Sequence, residues 1–318
     1  MVKLKLKVFC MSDRPTLPEG ITVFERGWLS SNNILLSGPE STALIDSGYS
    51  THAAQTLALT QSALQGRPLD LLLNTHLHSD HCGGNAALQT AYPALQTHIP
   101  PGQSAQVKDW NPDALSYTPT GQTCPSFGFD AVLVPGAELR LGGVSWQVHA
   151  APGHDPNAVI LFEPVSLVLV SADALWERGF GVVFPELEGV DAFDEVAQTL
   201  DLIESLAPRM VIPGHGPVFA GVEASLAFAR QRLDGFASQP AKHINYGAKV
   251  LLKFKLLELQ SIPHEQLMAW ATATPYFAML HSAHFSTIEF APWVEQLLAD
   301  LVRAGAAVRE GDGVRNAG

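Results

Sequence analysis

Residues 76–81 read His-Leu-His-Ser-Asp-His, which places four potential metal ligands in six positions. Such density needs a physical reason. His76 and His78 are two apart, so in extended chain they point the same way. Asp80 and His81 follow as the chain turns, which lets them reach a neighbouring position. Gly83 and Gly84 then allow a tight turn. A loop of this kind can present two adjacent metal positions. Just before it, Leu69–Leu73 is a continuous apolar run, the pattern of a strand buried on both faces.

Two metals need more ligands than one loop supplies. His154 lies in Ala151-Pro152-Gly153-His154-Asp155, Asp173 follows the apolar run Leu167–Val170, and His215 lies in Pro213-Gly214-His215-Gly216. Each sits where a strand ends and a turn begins, and binding groups collect in such loops.

The rest of the chain fits a mixed α/β fold. Strands are expected at Ile21–Glu25, Asn33–Ser37, Ala43–Ile45, Ala131–Val134, Val144–Ala150, Ala158–Phe162 and Met210–Ile212. Alternation within Val144–Ala150 marks His149 as a solvated strand residue. The alternating N-terminal stretch, Met1 to Val8, reads as a strand with one wet face. A helix is expected over Thr51–Gln65, and an amphipathic one over Asp191–Leu206 with Asp191 as its N-cap. After about Gly221 the pattern turns helical, with helices expected over 221–237, 241–260, 264–272 and 290–304. The expected division is a domain over 1–238 and a helical extension over 239–318. Leu301 to Gly313 reads as a helix end followed by a small hairpin, somewhat like a winged-helix module.

Composition limits the partners. Thirty-one acidic against nineteen basic residues give a formal charge of −12, which argues against nonspecific nucleic-acid binding. From residue 240 on the balance is neutral, seven of each sign, so the tail lacks a basic footprint. A lid or a homo-oligomer contact is the expected role of that tail. Cys10, Cys82 and Cys124 are too few and too scattered for a disulfide framework. With no apolar stretch of membrane or signal-peptide length, the chain reads as cytoplasmic, with a small-molecule substrate and no membrane partner.

The run His76 to His81 matches the HxHxDH motif of the metallo-β-lactamase superfamily, and His154, Asp173 and His215 follow in that family's order. The resemblance covers roughly residues 20–220 and implies the αββα sandwich, here with the helical extension added. It implies that His76, His78 and His154 bind one divalent metal, that Asp80, His81 and His215 bind a second, and that Asp173 bridges them. Asp46 would orient a ligand histidine. All seven donors are nitrogen or oxygen, which suits zinc first, with iron or manganese as alternatives. Two such ions share a water, lower its pKa and polarise a substrate oxygen. Asp80 is the expected catalytic residue, orienting the hydroxide or passing its proton.

Departures from family patterns narrow the reaction. The bridging Asp173 speaks against a true β-lactamase. His78 stands where flavodiiron proteins carry glutamate. The neighbourhood of Asp173 resembles glyoxalase II, yet Gly216 and Pro217 follow the last histidine in place of a Glu-Tyr pair. Trp176 stands where quorum-quenching lactonases often have tyrosine, and offers no phenolic proton. Trp176, Phe180 and Phe184 are candidates for an apolar pocket wall. The expected reaction is hydrolysis of an ester, thioester or lactone by two metals. The alternatives are a persulfide dioxygenase-like oxidoreductase with one iron, and a metal-dependent ribonuclease.

Overall fold

The computed structural model describes residues 15–318. The N-terminal stretch expected as a strand lies outside the described residues, as does Cys10. Two sheets face each other. The first orders β1 (Ile21–Phe24), β2 (Asn33–Ser37), β3 (Thr42–Ile45), β4 (Leu71–Leu73), β5 (Gln96–Ile99) and β6 (Ala131–Val132). Its first three strands pair antiparallel and the rest parallel. The second runs from β7 (Glu138–Leu141) through β8 (Val144–Ala150), β9 (Val159–Glu163) and β10 (Val168–Ala172) to β11 (Met210–Pro213), and only its last pair is parallel.

Side-chain alternation explains the layers. Ile34, Leu36, Ala43, Ile45 and Leu73 of the first sheet meet Trp146, Val148, Leu161, Val170 and Ile212 of the second in a dry core. The intervening Leu35, Leu44 and Leu72 point outward to a cluster with Leu64 and Leu88. Those two belong to helices α1 (Ala53–Leu64) and α3 (Asn85–Ala91), which flank the short α2 (Ser79–Cys82). Beyond α4 (Ser104–Lys108) and α5 (Phe184–Leu187), helices α6 (Phe193–Leu206) and α7 (Val222–Ser238) cover the second sheet. Val196, Leu200 and Ile203 of α6 pack there against Ile160, Leu169 and Val211. The order helix, sheet, sheet, helix is the expected αββα sandwich.

The remaining chain forms α8 (Pro240–Leu259), α9 (His264–Ala273), α10 (Pro275–His284) and α11 (Phe290–Arg303), with a small sheet of β12 (Ser261–Pro263), β13 (Ala307–Glu310) and β14 (Gly313–Asn316). The hairpin after α11 is present as expected. The stripe Val294, Leu297, Leu298 and Leu301 packs into a separate core that also takes Val182 and Leu187 from the sandwich. Ser238 and Pro240 belong to successive helices, so the expected division falls on a helix junction rather than an extended linker. No described helix is long and apolar enough to cross a membrane.

One expectation needs correcting. Asp191 does not cap α6. The helix starts at Phe193, and the Glu186 carboxylate accepts the amides of Ala192 and Phe193 at 2.6 and 2.8 Å. Strands β5 and β7 and helix α10 were not expected. They are short, and helix α10 buries Tyr276, Phe277 and Leu280 behind a proline start.

Candidate metal centre

The strand ends place the site. Strand β4 delivers the chain to His76, and α2 turns Asp80 and His81 back toward it. His154 comes from the β8–β9 loop, Asp173 directly follows β10, and His215 follows β11. One sheet therefore supplies the residues between 76 and 81, and the other supplies His154, Asp173 and His215. They meet at one end of the sandwich. Phe180 does not join them. It is 1% exposed, in the core beneath α6 and α7, because its ring packs with Leu200 and Leu226 rather than facing the cavity. Trp176 and Phe184 do line the cavity, as expected.

The donors form overlapping groups. His76, His78 and His154 offer nitrogens within 4.8 Å of one another, and Asp80, His81 and His215 offer a carboxylate oxygen and two nitrogens equally close. His78 Nδ1 lies 2.9 Å from His154 Nε2, which lies 3.3 Å from His76 Nε2. Asp173 stands between the groups. Its Oδ1 is 3.5 Å from His81 Nε2, and its Oδ2 is 3.4 Å from His154 Nε2 and 3.9 Å from His215 Nε2. Asp80 Oδ2 is 3.1 Å from His215 Nε2. His81 Nε2 is buried and has no hydrogen-bond partner. A buried polar atom left without a partner is costly, and a divalent cation among these donors would satisfy it. The residues present therefore fit the pair of ions that the motif implies.

Ionisation suits the same use. Burial, with the neighbouring His154 charge, pushes His78 down to about 3. His76 is held well below its ordinary value by burial and by His81. Both imidazoles thus stay neutral, with lone pairs free. Burial opposes ionisation of Asp173, but His215 and His81 outweigh it and hold the carboxyl well below the usual range. For His81, burial is outweighed by Asp46, Asp173 and Asp80, which raise its basicity well above the ordinary value.

Supporting contacts fix the rings. Asp46 Oδ2 meets His81 Nδ1 at 2.7 Å, while Asp46 also accepts the Thr75 amide at 2.9 Å and the Thr75 hydroxyl at 2.8 Å. Asp46 thus fixes the orientation of the His81 ring. His154 Nδ1 donates to the Val182 carbonyl. Trp176 lacks a phenol, yet its indole N–H donates to Asp173 Oδ1 at 3.2 Å. Trp28 stacks on His215 with ring centres 5.4 Å apart. Asp46 and Ala172 both adopt left-handed backbone, φ 57° and 46°, which is strained for side-chain-bearing residues and concentrates at functional sites. Two glycines allow close approach. A Cβ at Gly214 would lie 2.2 Å from Asp173 Oδ1, and one at Gly181 would lie 2.4 Å from His154 Nδ1.

Sequence reasoning missed several of these groups. Ser30, Ser31 and Asn32, with Asn33 at the start of β2, form a polar run, the usual signature of a wet loop, yet all four are buried. Asn32 Nδ2 donates to the carbonyls of Pro213 and Gly216 at 3.0 and 2.8 Å and so grips the turn around His215. No periodic signal marks it. The cavity above the donors measures about 430 Å³. Its far wall is Tyr246, Val250, Leu251, Phe254 and Leu257 of α8, so the tail roofs the site.

The profile of the metallo-beta-lactamase superfamily matches residues 26–215, and the chain belongs to that superfamily. Its relatives include hydroxyacylglutathione hydrolases, or glyoxalase II-like proteins. It is 32% identical over 141 residues to that of Anaeromyxobacter dehalogenans, covering 44% of this chain and 45% of the relative. It is 27% identical to that of Brucella anthropi, covering 62% and 63%. An atrochrysone carboxyl ACP thioesterase of Aspergillus fumigatus is 25% identical, covering 61% and 53%. The chain thus spans about half to two thirds of the length of these curated relatives. Among solved structures, a metallo-beta-lactamase family protein from Thermus thermophilus superposes with TM-score 0.55 at 20% identity, covering 95% of this chain and all of that one. A protein solved in a di-iron-bound form superposes with TM-score 0.53 at 28% identity, covering 65% and 96%.

Proposed function

We propose that this chain is a dinuclear metal-dependent hydrolase of carbonyl esters, thioesters foremost. One observation carries the reading. Two groups of donors, with Asp173 between them, converge at the floor of a largely apolar cavity. Superfamily relatives named as thioester hydrolases support the bond class. His76, His78 and His154 would hold one ion, Asp80, His81 and His215 the other, and Asp173 both. When bound, such a pair lowers the pKa of a shared water toward about 7 and polarises the substrate carbonyl.

The protein's own part is positioning. Asp46 and Thr75 lock His81, the Val182 carbonyl locks His154, and the Trp176 indole holds Asp173. His81 and His215 keep the Asp80 carboxyl below its ordinary value against the effect of burial. Asp80 then orients the attacking water and accepts its proton at the carboxylate. Trp176, Phe184 and the α8 side chains exclude bulk water and receive the acyl chain. Zinc is the expected metal.

The test combines metal content with turnover on protein purified without added metal. Two ions per chain, together with hydrolysis of a thioester panel that chelation abolishes, support the reading. One iron per chain, with oxygen uptake on a persulfide, would replace it by the dioxygenase alternative. Asp80→Asn is expected to lower kcat by roughly 10²–10⁴-fold, and full turnover at full metal content would remove Asp80 from the mechanism.

A further inference from the structure

Three cations line the cavity, Arg178, Arg232 and Lys253. Lys253 is committed elsewhere. Its ammonium donates to the carbonyls of Ala306 and Ala317, both at 2.7 Å, and to Asn316 Oδ1 at 2.6 Å. Arg178 is exposed. Arg232, on α7, differs from every other described lysine and arginine. It is partly shielded from water yet makes no hydrogen bond or ion pair, and its Nε is buried without a partner. Two residues earlier on the same helix, Arg230 reaches Asp201 and Glu204 at 2.8 Å each.

Acceptors are not scarce in a chain of charge −12, so the lack of one at Arg232 asks for a reason. Three rings surround its guanidinium carbon, Tyr246 at 4.5 Å, Phe236 at 5.2 Å and Phe180 at 5.6 Å. They compensate part of the charge but accept no N–H as an oxygen would. The location is also specific. A Cβ at Gly179 would lie 2.9 Å from Arg232 Cδ, while one at Gly181 would touch the ligand His154.

We propose that Arg232 is an anion receptor inside the cavity, with exposed Arg178 adding to the local positive field, so that the substrate carries a carboxylate or phosphate in addition to its scissile carbonyl. This rests on the hydrolase reading and names the substrate class for that same site. The carboxylate would belong to the acyl chain, the phosphate to the carrier thiol.

Two substrate pairs separate the sources, using metal-loaded full-length protein. The first is S-glutaryl against S-butyryl N-acetylcysteamine. The second is S-butyryl coenzyme A against S-butyryl N-acetylcysteamine. In one pair the wild type is expected to prefer the anionic member in kcat/KM, chiefly through KM. That ratio should fall about 10- to 100-fold in Arg232→Gln, the scale of a hydrogen bond to a charged group, and recover in part in Arg232→Lys. Added salt should lower the wild-type ratio as well, a measurement that needs no variant if Arg232→Gln fails to fold. No preference in either pair, or a ratio that a folded Arg232→Gln leaves unchanged, overturns the proposal while leaving the hydrolase reading intact. If no thioester turns over, the hydrolase reading fails instead. Tryptophan fluorescence titration with glutarate and with coenzyme A then decides alone: binding that weakens in Arg232→Gln supports the receptor, and no binding, or equal binding, overturns it.

Discussion

At the scale of single residues, the metal centre depends on groups that touch no substrate. Asp46→Asn keeps the shape of the side chain but weakens the contact to His81 Nδ1. It is expected to lower metal affinity roughly 10- to 100-fold, read by competition with a chromophoric chelator while circular dichroism stays unchanged. His243 gives a pH prediction. It is 1% exposed and accepts at Nε2 the Val183 amide, the N–H of the same peptide whose carbonyl holds His154. Burial, reinforced by the Arg232 charge, pushes it down to about 4. The unfolded chain therefore binds the extra proton between pH 6.5 and 4, and the folded protein loses stability as pH falls through that window. The loss attributable to this residue is at most about 3 kcal/mol. Denaturant titrations at pH 7 and 4.5 on metal-free protein should show a smaller pH difference for His243→Gln than for the wild type. Equal differences would remove His243 from the acid response.

At the scale of elements, legibility followed from how each signal arises. Helix α11 was readable because Val294, Leu297, Leu298 and Leu301 repeat on one face, and all are buried. Strand β8 was readable from the alternation of Trp146 and Val148 with Gln147 and His149. The candidate ligands were readable because each strand end leaves its mark in a few adjacent residues. What escaped depends on partners distant in sequence. Glu186 caps α6 from another helix, Asn32 grips a turn more than 180 positions away, and Phe180 was drawn to the core by helices whose packing no local pattern reveals. These cases are testable. Glu186→Ala is expected to cost about 1 kcal/mol, the usual worth of a helix cap, measured by equilibrium denaturation, whereas Asp191→Ala should stay near zero. Leu200→Ala, in the sealed core under α6, should cost about 2–5 kcal/mol.

At the scale of the whole molecule, the tail and the sandwich act as one body. The tail core includes Val182 and Leu187 of the sandwich, and Phe254 of α8 packs on Leu29 and Tyr49. Tyr49 also donates to Glu258 at 3.1 Å. A chain ended at Ser238 would expose that apolar surface and lose a cavity wall. It is expected to aggregate or to turn over thioesters far more slowly than the full chain, as gel filtration and kinetics would show. Each of the two proposed metal positions, meanwhile, would draw donors from both sheets, His76 and His78 against His154, and Asp80 and His81 against His215. The ions would then work as removable rivets, closing loops of the size that long disulfides close. In refolding, neither position is complete until the sandwich has shut, so uptake of cobalt should trail the recovery of secondary structure and serve as a clock for the final assembly of the two halves.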